Sequence, residues 1–304
     1  MSKSERKNLP ASIHDRLANQ ARERGRPINE LLQYYAIERF LYRLSQSRYA
    51  EQFILKGALL FRVWGLPAFR PTRDIDLLGY ADNEVDNLVA IIQNVCELEV
   101  IDDGIRFDPT SVTGERIRED AEYEGVRLRF SGLLGKACLH LQVDVGFGDV
   151  VSPAPVAKTY PAILPMPAPE LRSYPPETVI AEKLQAMVYL GSVNSRMKDF
   201  YDLWIFLEQF EFKGEVLQDA ILQTFEHRGT EIPAVGPAAF SAQFAQEKQV
   251  QWAAFLKTSI SADVPEQMEA VLARLREFIP PVFEHILAGR KFRKSWKTGG
   301  PWQE

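Results

Sequence analysis

Three consecutive segments in which apolar and polar residues alternate constrain the fold most. They span residues 104–117, 123–132 and 138–149. Successive side chains on a strand point to opposite faces, so this pattern is typical of half-buried antiparallel strands. A helical pattern over Leu9–Leu44, broken at Gly25 and Pro27, precedes them, and a further amphipathic helix is predicted over residues 84–98. The sequence therefore predicts an α+β fold with a mixed sheet.

The second half of the chain has a different pattern. Residues 153–176 contain eight prolines, which remove backbone donors, so an extended edge segment or a connection between lobes is predicted there. Helices are predicted after it at residues 176–191, 196–210, 215–227, 237–256 and 264–278. We expect two domains, with residues 1–170 forming the sheet lobe and its N-terminal helices. Residues 171–304 would form a mainly helical lobe with a basic, partly disordered tail.

Composition limits the partners and the compartment. The net charge of −5 gives no global basic field, so any nucleic-acid contact needs a local patch. We expect no signal peptide, because the N-terminus is charged, and no apolar run is long enough to span a membrane. Cys96 and Cys138 are predicted to be buried free thiols, as in a reducing compartment. Together these features favour a cytoplasmic protein. Candidate basic patches are Arg22, Arg24, Arg26, Arg39 and Arg43, then Arg196 with Lys198, and then the tail from Arg290 to Lys297, where Phe292 and Trp296 could stack on unpaired bases. The alternatives are a solvated helix surface for the first group and an unstructured, solubilising tail for the last.

Two aspartates lie one residue apart in the predicted strand "RDIDLLG". Asp74 and Asp76 would point to the same face and would repel each other unless a cation or a basic group lies between them. One interpretation is an edge strand entering a solvated turn, where Arg70 and Arg73 pair with the acids. The other is a metal site, because Mg²⁺ prefers hard oxygen ligands and uses one or two carboxylates together with substrate phosphates.

Other residues along the chain could complete such a site. Gly57 would let backbone amides approach a phosphate at a turn before a helix. Asp144 follows on another strand, either as a third metal ligand or as an ordinary strand-end residue. Lys183 could be a surface lysine or a charge on phosphate oxygens. Asp199 and Asp202 share a helix face and either form a capping and salt-bridge cluster or position Lys183.

The order of these motifs resembles the AbiEii/AbiGii family of nucleotidyltransferase-like toxins, from bacterial toxin–antitoxin and phage-exclusion systems. The matching stretches are "LPASIHDRL", "ILKGALLFRVW", "RPTRDIDLL", "LQVDVGFGD", "PETVIAEKLQAM" and "NSRMKDFYDL", which cover nearly the whole chain. The resemblance implies a polymerase-beta-type nucleotidyltransferase lobe, a helical C-terminal lobe and an active cleft between them. The wider fold usually has a Gly-Ser pair at the turn before the two aspartates, whereas this chain has Gly57 and Ala58, which removes one phosphate contact.

The resemblance also implies roles for individual residues. Asp74 and Asp76 would match the family's metal-binding pair and hold Mg²⁺ or Mn²⁺, and Asp202 could share the role of Asp199. The charges of the residues, and not the resemblance, suggest that Asp144 completes the metal site or assists deprotonation. Lys183 would hold the β- and γ-phosphates, and Asp199 would orient Lys183 or the nucleotide. Further nucleotide-binding candidates are Lys56, Gly57, Thr72, Arg73, Lys198 and Asp202.

The function that we expect is a toxin that transfers nucleotides from an NTP to an RNA acceptor. Some family members add nucleotides to the 3′ end of tRNA, which blocks translation, and a cognate antitoxin is encoded elsewhere. Two alternatives remain at this stage. One is an enzyme of the same fold that modifies a protein or small-molecule hydroxyl, and the other is a non-catalytic NTP-binding module.

Overall fold

The computed structural model describes residues 9–66, 72–120, 123–257 and 264–304. The chain divides into two compact units. Of the described residues, the first unit contains 9–65, 72–148 and 156–173, and the second contains 66, 149–155 and 174–304.

The first unit is a seven-stranded mixed sheet with helices. Its helices are α1 (Leu9–Glu23), α2 (Ile28–Gln46), α3 (Leu60–Val63) and α4 (Val85–Glu97). Its strands are β1 (Phe53–Lys56), β2 (Asp74–Gly79), β3 (Ile105–Asp120), β4 (Tyr123–Leu134), β5 (Ala137–Phe147), β6 (Val156–Thr159) and β7 (Glu170–Ser173). The strand order is β3-β4-β5-β2-β1-β7-β6. The β2–β5 and β1–β7 pairs are parallel and the other pairs are antiparallel, so the predicted α+β mixed sheet is confirmed.

Alternation along the strands separates an apolar face from a polar face. On β4, Val126, Leu128 and Phe130 are buried. Phe40 of α2 packs on Phe130, with ring centroids 4.8 Å apart. The residues between them, Arg127 and Arg129, therefore point to the opposite face. The proline-rich stretch supplies β6 at one edge of the sheet, which confirms the extended edge segment predicted there.

Two arginines that the sequence suggested for an RNA-binding surface are buried. Arg39 lies 2.6 Å from Glu38 and donates to the carbonyl of Pro167, and Arg43 forms a bidentate pair with Asp103. Burial raises the pKa of Glu38, and the Arg39 charge opposes that shift. The predicted RNA contact is therefore wrong for Arg39 and Arg43, because both arginines fasten α2 to neighbouring loops.

The second unit is mainly helical, as predicted, and also contains a small sheet. Its helices are α5 (Pro176–Leu190), α6 (Met197–Gln209), α7 (Gly214–His227), α8 (Ala242–Leu256), α9 (Met268–Phe278) and α10 (Pro280–Leu287). Its strands are β8 (Phe212–Lys213), β9 (Ser295–Trp296) and β10 (Trp302–Gln303), in the order β10-β9-β8. The sequence patterns did not predict α10 or this sheet.

The C-terminal tail is folded, and the prediction of a partly disordered tail was wrong. Phe292 and Trp296 are almost fully buried. The Trp296 ring lies 4.8 Å from Phe278, and its Nε1 donates to the carbonyl of Leu207. Both aromatic rings belong to the core, so the predicted stacking of these rings on RNA bases is wrong as well. The cations at Arg290, Lys291, Arg293 and Lys297 remain exposed.

Replacing Trp296 with alanine should destabilise the protein by about 3–5 kcal/mol, because it removes a large buried ring and leaves a cavity. Urea unfolding followed by circular dichroism would measure the change. Lys291→Ala, a change at an exposed tail residue, should alter stability by no more than about 0.5 kcal/mol. Equal stabilities for the two variants would contradict the packing described for the tail.

The membrane and cysteine predictions have different outcomes. In the described part of the chain, no helix is long and apolar enough to cross a membrane. Both cysteines are free thiols, and Cys96 is buried as predicted. Cys138 is exposed, so that prediction was wrong; its position on β5 falls on the polar side of the strand alternation.

Candidate active site

A row of charged residues crosses four neighbouring strands of the sheet in register. Lys56 on β1 pairs with Asp76 on β2, Asp76 pairs with Asp144 on β5, and Asp144 pairs with Arg127 on β4. Residues directly opposite each other on paired strands have their side chains on the same face. The two acids therefore lie on adjacent strands, flanked by a cation on each side. We call Lys56, Asp76, Asp144 and Arg127 the charged row.

Gly57 brings bare backbone against the carboxylate of Asp76. It follows β1 with φ at 71°, a conformation that residues with a side chain rarely adopt. A Cβ built at this position would lie 1.9 Å from Asp76 Oδ2. Both the turn and the available space therefore require glycine. The predicted turn before a helix at Gly57 is confirmed, since a short 3₁₀ turn joins Gly57 to α3.

Asp144 is held by an arginine that sequence reasoning missed. Arg127 Nε donates to Asp144 Oδ1 at 2.8 Å and Arg127 Nη2 donates to Oδ2 at 2.7 Å. Gln142 Nε2 adds a third bond to Oδ2 at 3.2 Å. The hydrogen bond to Asp144 is the largest influence raising the pKa of Arg127, and the charges of Asp144 and Asp74 add to it. Asp74 thus lies within the electrostatic reach of Arg127.

The chain entering β2 is fastened to α2. The backbone N–H of Thr72 donates to the hydroxyl of Tyr34, and the guanidinium of Arg62 lies 4.6 Å from the centre of the Tyr34 ring. Burial raises the pKa of Tyr34, so its hydroxyl stays neutral. This contact fixes the strand start two residues before Asp74. Arg73 is exposed, and Arg70 lies outside the described residues.

The Asp74–Asp76 pair suits a divalent cation. Both carboxylates are half-buried on one face of a central strand, and they offer the hard oxygen ligands that Mg²⁺ prefers. The bare backbone of Gly57 leaves room beside Asp76. Within the described ranges, no three His, Cys, Asp or Glu side chains are grouped as a protein-only metal site would need.

A second cluster of candidate residues lies in the helical unit. Lys183 Nζ on α5 lies 2.6 Å from Asp199 Oδ1 and 2.8 Å from Asp202 Oδ2, both on α6. All three side chains are largely buried. Burial alone would raise the pKa of Asp199, but the charge and hydrogen bond of Lys183 outweigh it and lower that pKa, with help from Lys198 and Arg196. Lys183 is therefore not a snorkelling surface lysine, while Lys198 is exposed.

Arg228 fastens the helix that carries Lys183. It lies 2.7 Å from Asp149 Oδ1 and donates to Gln185 Oε1 at 2.9 Å, and Gln185 in turn donates to Thr230. No short motif in the sequence indicates this network, because its members come from distant segments. Through Gln185, which lies two residues after Lys183, the network holds α5 to the segments that carry Arg228 and Thr230.

The structure thus brings the predicted site residues together in two groups, one in each unit. The first contains Lys56, Gly57, Asp74, Asp76 and Asp144, and the second contains Lys183, Asp199 and Asp202. A family model for the nucleotidyl transferase AbiEii toxin of type IV toxin–antitoxin systems matches residues 39–286. The chain belongs to this family. It is a nucleotidyltransferase toxin, with a nucleoside triphosphate as substrate and a cognate antitoxin as partner.

Two solved structures from Helicobacter pylori are also similar to this AbiEii-family chain. The structure of JHP933 has a TM-score of 0.49 and 14% sequence identity, covering 86% of this chain and 95% of that chain. A candidate nucleotidyltransferase has a TM-score of 0.42 and 14% identity, with coverage of 85% and 95%. No curated protein matches the sequence. The assignment to the AbiEii family rests on the family model.

Replacing Gly57 with alanine should abolish detectable transfer, because the new Cβ would displace the Asp76 carboxylate. Gly65→Ala is a matched control, since Gly65 has φ at 67° but no atom within 4 Å of a built Cβ. Both variants carry similar backbone strain, about 1–2 kcal/mol. Transfer rates and melting temperatures would be measured for each. If the two variants lost the same activity, backbone strain and not contact with Asp76 would explain the effect.

Proposed function

We propose that this toxin transfers nucleotides from an NTP to the 3′ end of tRNA in a reaction that depends on a divalent metal ion. The observation that carries the proposal is the half-buried Asp74–Asp76 pair with the bare backbone of Gly57 against Asp76. That arrangement suits a site where a metal-bound triphosphate lies close to the chain. Membership of the AbiEii family supports the transfer of a nucleotidyl group.

In this mechanism Asp74 and Asp76 hold Mg²⁺ or Mn²⁺. When bound, the ion would polarise the α-phosphate and offset charge on the leaving pyrophosphate. Gly57 allows the backbone to approach the phosphates, and Lys56 contributes positive charge at the end of the charged row. Thr72 and Arg73, which directly precede Asp74, are proposed to contact the nucleotide.

Lys183 is proposed to bind the β- and γ-phosphates. Asp199 and Asp202 fix the position of its ammonium group through ion pairs of 2.6 and 2.8 Å. These two ion pairs restrict the motion of the Lys183 side chain, which reduces the entropy lost on binding. Lys198, exposed beside Asp199, adds positive charge for a polyanion.

The tRNA acceptor is proposed from the resemblance to AbiEii/AbiGii toxins. The net charge of −5 requires a local basic patch for RNA binding, and the exposed cations of the tail are candidates. If they contact tRNA, binding should weaken steeply between about 50 and about 200 mM salt, because counterions are released. Replacing Arg290, Lys291 and Arg293 together with glutamine should weaken tRNA binding and leave NTP binding unchanged.

The test is to incubate the full chain with Mg²⁺, total tRNA and each labelled NTP in turn. We expect label from one or more NTPs on the tRNA 3′ end, and none when the metal is chelated. Parallel reactions with total protein, or with small molecules that carry hydroxyl groups, would detect another acceptor. Label on those acceptors alone would contradict the tRNA proposal. Nucleotide binding without any release of pyrophosphate would contradict transferase activity.

A further inference from the structure

We propose that Arg127 binds the triphosphate of the nucleotide and that Asp144 positions Arg127 instead of completing the metal site. This inference rests on the proposed function, because it places the nucleotide at the Asp74–Asp76 pair. It assigns a binding role to an arginine that the sequence did not single out. It also replaces the metal-ligand role that the sequence suggested for Asp144.

Both carboxylate oxygens of Asp144 are engaged by neighbouring side chains. They accept three hydrogen bonds, two from Arg127 and one from Gln142. A bidentate arginine–carboxylate pair is among the stronger ion pairs in proteins, and it uses both carboxylate oxygens. The Asp144 side chain is 8% exposed, so breaking the pair would leave a buried charge with less compensation. A metal ion at Asp144 would have to compete with these three hydrogen bonds for the acceptor positions of the carboxylate.

Arg127 lies on the same face of the sheet as the Asp74–Asp76 pair. It lies in register with Asp144, which lies in register with Asp76, so its side chain points to the face that carries the Asp74–Asp76 pair. The guanidinium therefore lies on the sheet face that carries the proposed metal pair.

The guanidinium of Arg127 can still bind a further ligand. The side chain of Arg127 is 31% exposed, and Asp144 engages only its Nε and one of its two Nη groups. Lys56, the other cation of the charged row, is buried, whereas Arg127 is half-buried. Arg127 is thus the more accessible cation of the row. A planar guanidinium suits phosphate oxygens, and a carboxylate on its other edge fixes its orientation.

Two binding measurements on full-length protein test this inference. Titration with Mn²⁺ followed by electron paramagnetic resonance reports the metal site. Calorimetry with inorganic triphosphate in the presence of Mg²⁺ reports phosphate binding without requiring the identity of the base. Arg127→Met should weaken triphosphate binding at least about 10-fold, the usual scale for a lost charged hydrogen bond, without weakening Mn²⁺ binding. Arg127→Lys should recover part of the affinity.

Asp144→Asn separates the two roles of the carboxylate. A positioning role predicts unchanged Mn²⁺ binding and weaker triphosphate binding, while Asp74→Asn loses Mn²⁺. The double variant Arg127→Met/Asp144→Asn should bind triphosphate no worse than Arg127→Met alone, because the two residues act as a unit. It also removes both charges, so it can be measured if Arg127→Met fails to fold.

Arg116→Met is the matched control. Arg116 lies on β3 directly after Glu115, which is in register with Arg127, so Arg116 points to the opposite face, where it pairs with Glu84. The Arg116→Met variant should bind triphosphate as tightly as the wild type does. Loss of Mn²⁺ binding in Asp144→Asn, or unchanged triphosphate binding in Arg127→Met, would overturn the inference and leave the proposed function intact. A wild-type protein that binds neither ligand would contradict both.

Discussion

Asp76→Asn is expected to lower the rate of nucleotidyl transfer by about three orders of magnitude or more, equivalent to about 4 kcal/mol of barrier. Asparagine has nearly the same shape but offers only one neutral oxygen, so the proposed ion would lose a charged ligand. Folding should survive, because Asp76 lies in register with Asp144 and removing one of two adjacent negative charges reduces their repulsion. Release of pyrophosphate and thermal unfolding would measure the two quantities.

Asp219→Asn is a suitable control, since Asp219 is an exposed acid on α7. It makes the same chemical change and should leave the rate within about twofold of the wild type, as expected for an exposed residue. Asp74→Asn should behave like Asp76→Asn. Turnover near the wild-type level in Asp76→Asn would remove the metal pair from the mechanism, whatever the acceptor.

Local sequence patterns predicted most of the secondary structure. The alternation between residues 104 and 149 became β3, β4 and β5, because strand side chains repeat every two residues whatever the partner strand. The glycine turn at Gly57 could be predicted, since few residues other than glycine adopt a positive φ. These features depend on neighbours in the sequence and therefore appear in it.

The composition of the charged row could not be predicted in the same way. It depends on which strands pair and in which register, with β2 lying between β1 and β5 although β1 and β2 precede β5 by many residues. Arg127 appears in the sequence as an ordinary polar position of an alternating strand. Only the register that places it opposite Asp144 reveals the ion pair. To predict this ion pair from the sequence, one would need to know that β4 pairs with β5 and in which register.

Charge patterns in the sequence also gave a wrong picture of two surfaces. Arg39 and Arg43 look like part of a basic helix face, yet their partners are Glu38, one residue away, and Asp103, far along the chain. Basic and aromatic residues alternate around Phe292 and Trp296. The cations at Arg290, Lys291, Arg293 and Lys297 are exposed, whereas the two rings pack into the core. Composition counts charges but does not identify their partners.

Lys183→Met should destabilise the protein by about 3–5 kcal/mol, which is the usual cost of removing one partner from a buried ion pair. The change leaves Asp199 and Asp202 buried together without the Lys183 ammonium group, which lies 2.6 Å from Asp199 and 2.8 Å from Asp202 in the wild type. Urea unfolding at neutral pH would measure the loss. Stability equal to the wild type would contradict the ion pairs described for this cluster.

The pH dependence of stability should change sign at this site. In the wild type, Lys183 lowers the pKa of Asp199 below its ordinary value of 3.8. The folded state then binds fewer protons than the unfolded state, so this stability is present above about pH 4 and is lost as pH falls through the folded pKa. In Lys183→Met, burial would become the dominant influence and would raise that pKa. The contribution of Asp199 to the free energy of unfolding would then be present at low pH and lost as pH rises.

The triple variant Lys183→Met/Asp199→Asn/Asp202→Asn distinguishes a structural role of Lys183 from a role in binding phosphate. It removes the cation and both anions together, so no buried charge is left without a partner, and it should recover most of the stability lost in Lys183→Met. If Lys183 also binds the triphosphate, transfer should stay at least about 100-fold below the wild type, equivalent to about 2.7 kcal/mol of barrier. Lys183→Arg should retain part of both properties, because its wider planar group keeps the charge but not the geometry. Recovery of transfer together with stability in the triple variant would show that Lys183 holds α5 to α6 and takes no part in binding the nucleotide.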